Sequence, residues 1–249
     1  MLCTTDVAHE LRQHTSESCS IHDRVRQLLQ VMDYELVADA TTAAIVHALR
    51  YRAYHEAGAT RHRPDGKLSD RYDRSAHAAT IVLRFDGLIC ASIRLHVVSE
   101  PWQESPALSA FPDELLPRVG QGRRLVDANC FCVDPALSGR VPELAYMMLR
   151  LPFITADLRP DTMITATVTA RHKPFYVRIL RCDEIAPPRT YAGRTRPLGL
   201  TLCNVERERA NIVARNPSFE PLPGEAARIG LDRIGAIEPA VAISHAVAA

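Results

Sequence analysis

The stretch Ala79-Thr80-Ile81-Val82-Leu83-Arg84-Phe85-Asp86-Gly87-Leu88-Ile89-Cys90-Ala91-Ser92-Ile93-Arg94-Leu95-His96 decides the fold class. Ile81, Leu83 and Phe85 alternate along it, the period of a half-buried strand. Asp86-Gly87 is a two-residue hairpin signal, because a turn of that length needs residues that tolerate positive φ. The returning strand carries Ile89, Ala91, Ile93 and Leu95 on one side and Ser92, Arg94 and His96 on the other. A hairpin of this kind predicts antiparallel pairing, with one face apolar and a guanidinium on the opposite face.

Upstream, Val25, Leu28, Leu29 and Met32 recur at helical spacing over residues 21–32, and residues 33–37 read as a short strand. Asp39 is an N-cap for a helix over 41–57 that stops at Gly58. Its expected buried stripe is Ile45, Leu49 and Ala53, with Arg50 and Tyr54 stacked four apart along the rim. Residues 59–77 form a loop long enough to be functional. Downstream, residues 99–122 hold one short helical piece at 111–116. Leu125–Asp134 is the central strand, with Leu125, Asp127, Asn129, Phe131 and Val133 expected on one face. A turn at 135–140 leads into a helix over 141–154, which Pro152 distorts or ends. A strand at 163–169, a helix at 170–180 and strands at 182–186 and 198–205 complete the pattern. The expected organisation is a flexible arm at 1–20, one domain at 21–205 and a C-terminal extension at 206–249. A hairpin-led series with interspersed helices is an α/β fold: a mixed, largely antiparallel sheet flanked by helices.

The 249 residues are 47% hydrophobic, enough for a sizeable core, and the net charge is +1. That balance argues against general nucleic-acid binding, which needs a strongly cationic face. No apolar run is long enough to span a membrane, and residues 1–20 lack the apolar segment of a secretory signal. A cytoplasmic location is the expectation. Seven cysteines without a CxxC pair read as free thiols, with no metal site.

Charged residues recur at the edges of the apolar elements: Arg50, Asp70, Asp73, Arg94 and Asp127. Charges in such places pair with one another or with a ligand, since unpaired burial is costly. They predict one polar site at the mouth of the sheet, with Asp70 and Asp73 pairing with Arg50 and Arg94. Asp127 either pairs with one of these arginines or is free for proton transfer. The single histidines His96 and His172 read as structural.

The order of these motifs resembles the acyl-homoserine lactone synthases and their relatives, the N-acyl amino acid synthases, of the GCN5-related N-acyltransferase fold. The resemblance spans roughly residues 34–205. Arg50 and Tyr54 match an Arg followed four residues later by an aromatic; Asp70, Tyr72 and Asp73 match an Asp-x-x-Asp motif after a mobile loop. Ser92 and Arg94 match a Ser-x-Arg, and Phe111 matches a phenylalanine of the next helical segment. Asp127, Cys130, Phe131 and Val133 match a Glu-x-x-Arg-Phe-x-Val strand. Two departures stand out: Asp127 shortens the family's Glu, and Cys130 replaces its Arg. The family's tryptophan after the first helix is also missing, Trp102 lying elsewhere. These changes suit the N-acyl amino acid synthase branch better than lactone formation from S-adenosylmethionine.

The resemblance implies transfer of a fatty acyl group from an acyl carrier protein thioester to the α-amine of an amino acid, with acyl-phosphopantetheine as co-substrate and no tightly bound cofactor. The alternatives are a lactone synthase and a non-catalytic acyl-carrier-binding module. In this fold the thioester arm enters where the central strand parts from its neighbour. Asp127 would accept a proton from the amine, Tyr176 would donate to the leaving thiolate, and Arg94 and Asp73 would complete the catalytic group. Arg50, Tyr54, Asp70, Phe111 and Phe131 would bind substrate, with Arg50, Arg52 or Arg94 as a clamp for the acceptor carboxylate. Val133 and the turn Ser138-Gly139-Arg140, leading to a helix N-terminus, would hold the donor. The turn lacks a glycine-rich pyrophosphate signature, which favours a carrier protein over coenzyme A. Met147, Met148, Leu151, Phe153 and Ile154 could line an acyl tunnel, and Arg118, Arg123, Arg124, Arg140 and Arg150 could meet the acidic carrier.

Overall fold

In the computed structural model, which describes residues 4–16, 18–191 and 193–236, seven strands form one sheet in the order β1-β2-β3-β4-β5-β7-β6. The hairpin is β2 (Ala78–Phe85) and β3 (Leu88–Val98). Asp86 and Gly87 both take positive φ, 46° and 75°, as a two-residue turn between twisted strands requires. The strand β1 (Asp33–Leu36) lies antiparallel to β2, and β4 (Arg124–Val133) antiparallel to β3. The parallel neighbour of β4 is β5 (Thr162–Val168). The sheet ends with β7 (Leu198–Asn204) antiparallel to β5, and β6 (Asp183–Arg189) at the edge.

Two apolar clusters sandwich the sheet. On one face Ile81, Ile93, Leu95, Val126 and Ile164 pack against α1 (Thr4–Gln13), α2 (Ile21–Leu28), α6 (Glu143–Asp157), α7 (Lys173–Leu180) and α8 (Val205–Arg215). On the other, Val98, Leu125, Leu200 and Leu202 meet α4 (Pro106–Ala110) and α5 (Pro112–Gly120). The helix α3 (Ala40–Glu56) lies against β3 and β4. Its N-cap is Asp39, which accepts from the Thr42 backbone N–H at 2.9 Å.

Several expectations are corrected. The segment expected to be a loose arm contains α1, whose Val7, Ala8 and Leu11 are fully buried. The expected extension beyond 205 holds α8, a short helix α9 (Glu225–Ile229) and core residues Ile212, Phe219 and Leu231; residues 237–249 lie outside the described residues. The buried stripe of α3 is Thr42, Val46, Leu49 and Arg50, and Ile45 is exposed. Pro152 does not end α6, which runs on to Asp157. Residues 106–120 make two helices in place of one, each opened by a proline in its first turn, where a missing N–H costs nothing.

The central strand departs most from simple alternation. Opposite the two-residue advance from Ser92 to Arg94, β4 advances three residues, from Cys132 to Asn129, so it carries one extra residue. Cys130 sits there with φ of 50°, a β-bulge. Beyond the bulge Cys132 shares the face of Asp127 and Asn129, opposite Ser92, in place of Phe131 and Val133. The burial of α1 yields a test: Leu11→Ala should lower the urea-unfolding free energy by about 2–5 kcal/mol, whereas a loose arm would change it by less than about 0.5 kcal/mol.

Candidate active site

The loop after α3 ends in a 3-10 turn, Arg71–Arg74, closed by reciprocal caps. The Tyr72 N–H donates to the Asp70 carboxylate at 2.9 Å, and the Asp70 N–H donates to Asp73 at 3.0 Å. Asp73 keeps its second oxygen for guanidinium groups, and Asp70 offers them both oxygens, the capping one included. Arg94 of β3, 1% exposed, donates to Asp70 at 2.7 and 2.9 Å and to Asp73 at 2.7 Å. Arg50 of α3, also 1% exposed, donates to Asp73 at 2.6 Å and to the Thr80 hydroxyl at 2.9 Å. Burial alone would push the Asp73 carboxyl up; Arg50 and Arg94 outweigh it and hold it at about 2.

Arg94 Nε reaches the opposite way, to Asn129 Oδ1 at 2.7 Å. Asn129 Nδ2 in turn donates to the Asp127 carbonyl at 3.0 Å and to His96 Nδ1 at 3.1 Å. Burial, then the Arg94 charge, pushes His96 well below its ordinary pKa, so it is a neutral link in this chain.

Asn129 is also where the sheet opens. The ladder between β4 and β5 runs from Arg124–Thr162 to Ala128–Ala166 and stops, while β4 continues along β3 and β5 along β7. Asp127, fully buried, lies one residue inside that opening. It pairs with neither arginine. One oxygen accepts from the Ala107 N–H at 2.9 Å at the start of α4, and among the described residues Oδ1 has no hydrogen-bond partner. Burial raises its pKa, against smaller lowering effects from Ala107, Ser105 and Arg94.

The opening is crossed by the β6–β7 loop. Tyr191 lies beside Thr167 of β5 and within electrostatic reach of Asp127. Arg194 Nη2 lies 3.9 Å from the Cys130 sulfur on β4, and its guanidinium stacks on the Tyr54 ring with the carbon 4.1 Å from the ring centre. The Tyr54 hydroxyl donates to the Phe131 carbonyl at 3.2 Å, and burial pushes its pKa up to about 12. Tyr176 is buried on α7; burial raises its pKa most, and Tyr54 adds to the rise.

So the structure gathers Arg50, Asp70, Asp73, Arg94 and, through Asn129, Asp127. Tyr54 and Phe131 flank the adjoining opening, and Tyr176 lies in the apolar cluster under α7. Phe111 does not join them: it is fully buried in the α4–α5 cluster, with Arg189 over its ring at 4.7 Å. Arg52 is held by Asp134 at 2.6 Å. Val133 and Ser138-Gly139-Arg140 follow the opening into the N-terminus of α6, beside a cleft of about 280 Å³ lined by Arg12, Arg24 and Arg140. The Glu143 side chain there is taken by Arg24 at 2.6 Å. The five tunnel candidates of α6 are all close-packed core. Arg150 is corrected as a carrier contact: it is buried and paired with Glu225, with Nε donating to the Ser218 carbonyl at 3.0 Å. Asn129, Tyr191 and Arg194 escaped the sequence reading. The only signal for the last two was a Pro-Gly-Arg-rich segment between two strand candidates, which reads as a solvated loop. Among the described residues no group of metal-ligating side chains occurs, and no helix is long and apolar enough to cross a membrane.

The fold agrees with solved structures. FeeM, an N-acyl amino acid synthase from uncultured soil microbes, superposes with a TM-score of 0.60 at 16% identity, over 74% of this chain and 96% of its own. BjaI, a coenzyme A-dependent acyl-homoserine lactone synthase, gives 0.55 at 13% identity over 80% and 99%. MesI, another coenzyme A-dependent lactone synthase, gives 0.51 at 19% over 76% and 96%. At these identities the likeness is one of fold. No functionally curated sequence matches the chain significantly. The family profile of the N-acyl amino acid synthase FeeM matches residues 45–204, which span α3 to the end of β7 and hold every element of the polar cluster. The chain therefore belongs to the FeeM N-acyl amino acid synthase family and is an acyltransferase with the GCN5-related N-acyltransferase fold.

Proposed function

We propose that this chain joins a fatty acyl group to the α-amine of an amino acid, drawing the acyl group from an acyl carrier protein. The observation that carries the reading is a buried carboxylate with an unpartnered oxygen, Asp127, one residue inside the opening between β4 and β5. The pantetheine arm enters that opening and presents its thioester carbonyl to the backbone of β4 beyond Ala128, where β5 no longer pairs with it. The neutral amine attacks the carbonyl, the C–N bond forms, and Asp127 takes the amine proton. The C–S bond then breaks and the thiolate is protonated by Tyr176. Arg50, Arg94, Asp70 and Asp73 fix the 59–77 loop over the acceptor, and Arg94 with Asn129 ties that loop to β4. A turn with one glycine at the α6 N-terminus suits the single phosphate of a carrier-bound arm.

Purified protein incubated with acyl-carrier thioesters and mixed amino acids should yield N-acyl amino acids by mass spectrometry. A lactone formed only with S-adenosylmethionine would overturn the acceptor assignment, and turnover with acyl-coenzyme A alone would overturn the donor. Asp127→Asn keeps an acceptor for the Ala107 N–H and should fold, yet lose about 10²–10⁴ in kcat. Because burial raises the pKa of this base, the acid limb of the wild-type rate profile should fall above the ordinary carboxylate range.

Asp73 gives the opposite pH signature. Its folded pKa, about 2, lies below the ordinary 3.8, so it binds fewer protons folded than unfolded. Its stabilisation is complete above 3.8 and disappears as the pH falls through about 2. Asp73→Asn should flatten the acid limb of stability against pH in that window. It should also cost about 3–5 kcal/mol at neutral pH, since Arg50 loses its only carboxylate among the described residues.

A further inference from the structure

We infer that Arg194 of the β6–β7 loop is the residue that binds the acceptor's carboxylate and so selects an α-amino acid over a simple amine. The inference rests on the proposed acylation of an amino acid. The sequence offers Arg50, Arg52 and Arg94 for this task, but each is committed to a carboxylate of the protein: Arg50 to Asp73, Arg52 to Asp134, and Arg94 to Asp70 and Asp73. A guanidinium whose charge a fixed carboxylate already balances attracts a second anion less, even where a donor such as Arg50 Nε stays unused.

Arg194 is different. Among the described residues no carboxylate lies within ion-pair distance of it. Its contacts are the Cys130 sulfur and the face of Tyr54, and its Nη1 is buried with no hydrogen-bond partner. A half-buried cation with no facing carboxylate and a buried, unused donor is an energetic cost that an incoming anion relieves. Its backbone is held at the site. The Arg194 N–H donates to the Tyr191 carbonyl at 3.0 Å across Gly193, whose φ is 73°. Thr195 then clamps the loop to the end of α3, its hydroxyl donating to the Gly58 carbonyl at 2.6 Å and its N–H to the Ala59 carbonyl at 3.3 Å.

The spacing also fits an amino acid. Tyr191 is within electrostatic reach of Asp127, Cys130 and Arg194. At a strand rise of about 3.3 Å per residue, Cys130 is about 10 Å or less from Asp127 along β4. An α-amino acid whose amine faces Asp127 and whose carboxylate faces Arg194 needs about that span, with a hydrogen bond of about 2.8 Å at each end.

The test compares the amino acid identified in the product assay with its primary amide, which keeps the amine and removes the anion. Wild-type protein should acylate the amino acid with a kcat/KM at least about 30-fold higher than the amide. In Arg194→Gln that preference should collapse through a raised KM for the amino acid, with the KM for the acyl donor unchanged. Arg194→Lys, which keeps the charge, should retain part of it. Calorimetric titration of the amino acid into donor-free protein should show the same loss of affinity in Arg194→Gln. Wild-type protein that acylates the amide as well as the amino acid overturns the inference without any variant. So does an Arg194→Gln that keeps the preference, or one whose donor KM alone rises. A wild-type protein that acylates only amines lacking a carboxylate would instead overturn the proposed function, and this inference with it.

Discussion

The Arg94 guanidinium is the contact on which the site depends. It is buried on the sheet, yet it makes charge-assisted bonds to Asp70 and Asp73 of one loop and a bond to Asn129 of the next strand. With Arg50 on the shared Asp73, two cations face two carboxylates, so the cluster is nearly neutral as a unit and its burial is tolerable. The 59–77 segment is too polar to be held by a core. What holds its end is this cluster together with the reciprocal caps of the 3-10 turn. Order in the loop and charge balance in the site are therefore the same property.

Much of this was legible because the constraints are local or because buried charge demands a partner. The hairpin is written in alternation and in Asp86-Gly87. Arg50 and Arg94 each sit among apolar neighbours and so demand a partner, which the Asp-x-x-Asp of the polar loop supplies. Other features depend on the tertiary context. Val7 and Leu11 are a single apolar pair in a polar segment, and only α1 packed against the sheet shows that they are buried. Arg150 reads as one more surface arginine until Glu225, far along the chain, is seen to pair with it. Arg194 lies in a segment whose composition matches any solvated turn, and nothing in it signals that Tyr54 and Cys130 lie beneath.

The bulge at Cys130 shows how one irregularity rearranges a site. A positive φ at a cysteine has no propensity signal. Without it Phe131 and Val133 would continue the face of Asp127 and Asn129; with it Cys132 does, beside the Ser92 hydroxyl at 3.2 Å. The bulge falls just after β4 parts from β5, so the backbone is re-aimed where the sheet opens. Cys130 itself meets a guanidinium there, arriving from the β6–β7 loop.

Two aspartates about this opening are set apart by what faces each of them. Asp73 meets two guanidinium groups, which outweigh its burial and keep it ionised at any ordinary pH. Asp127 is more deeply buried and meets a backbone N–H, with only weaker influence from Arg94, so its burial prevails and its proton affinity rises. A carboxylate saturated by arginines is a poor base but a good anchor, and one left with a free oxygen in a dry place is the reverse. The division follows from Arg94 turning its Nε to Asn129 rather than to Asp127. Had Arg94 reached Asp127 directly, both aspartates would be anchors and neither would be available to an amine.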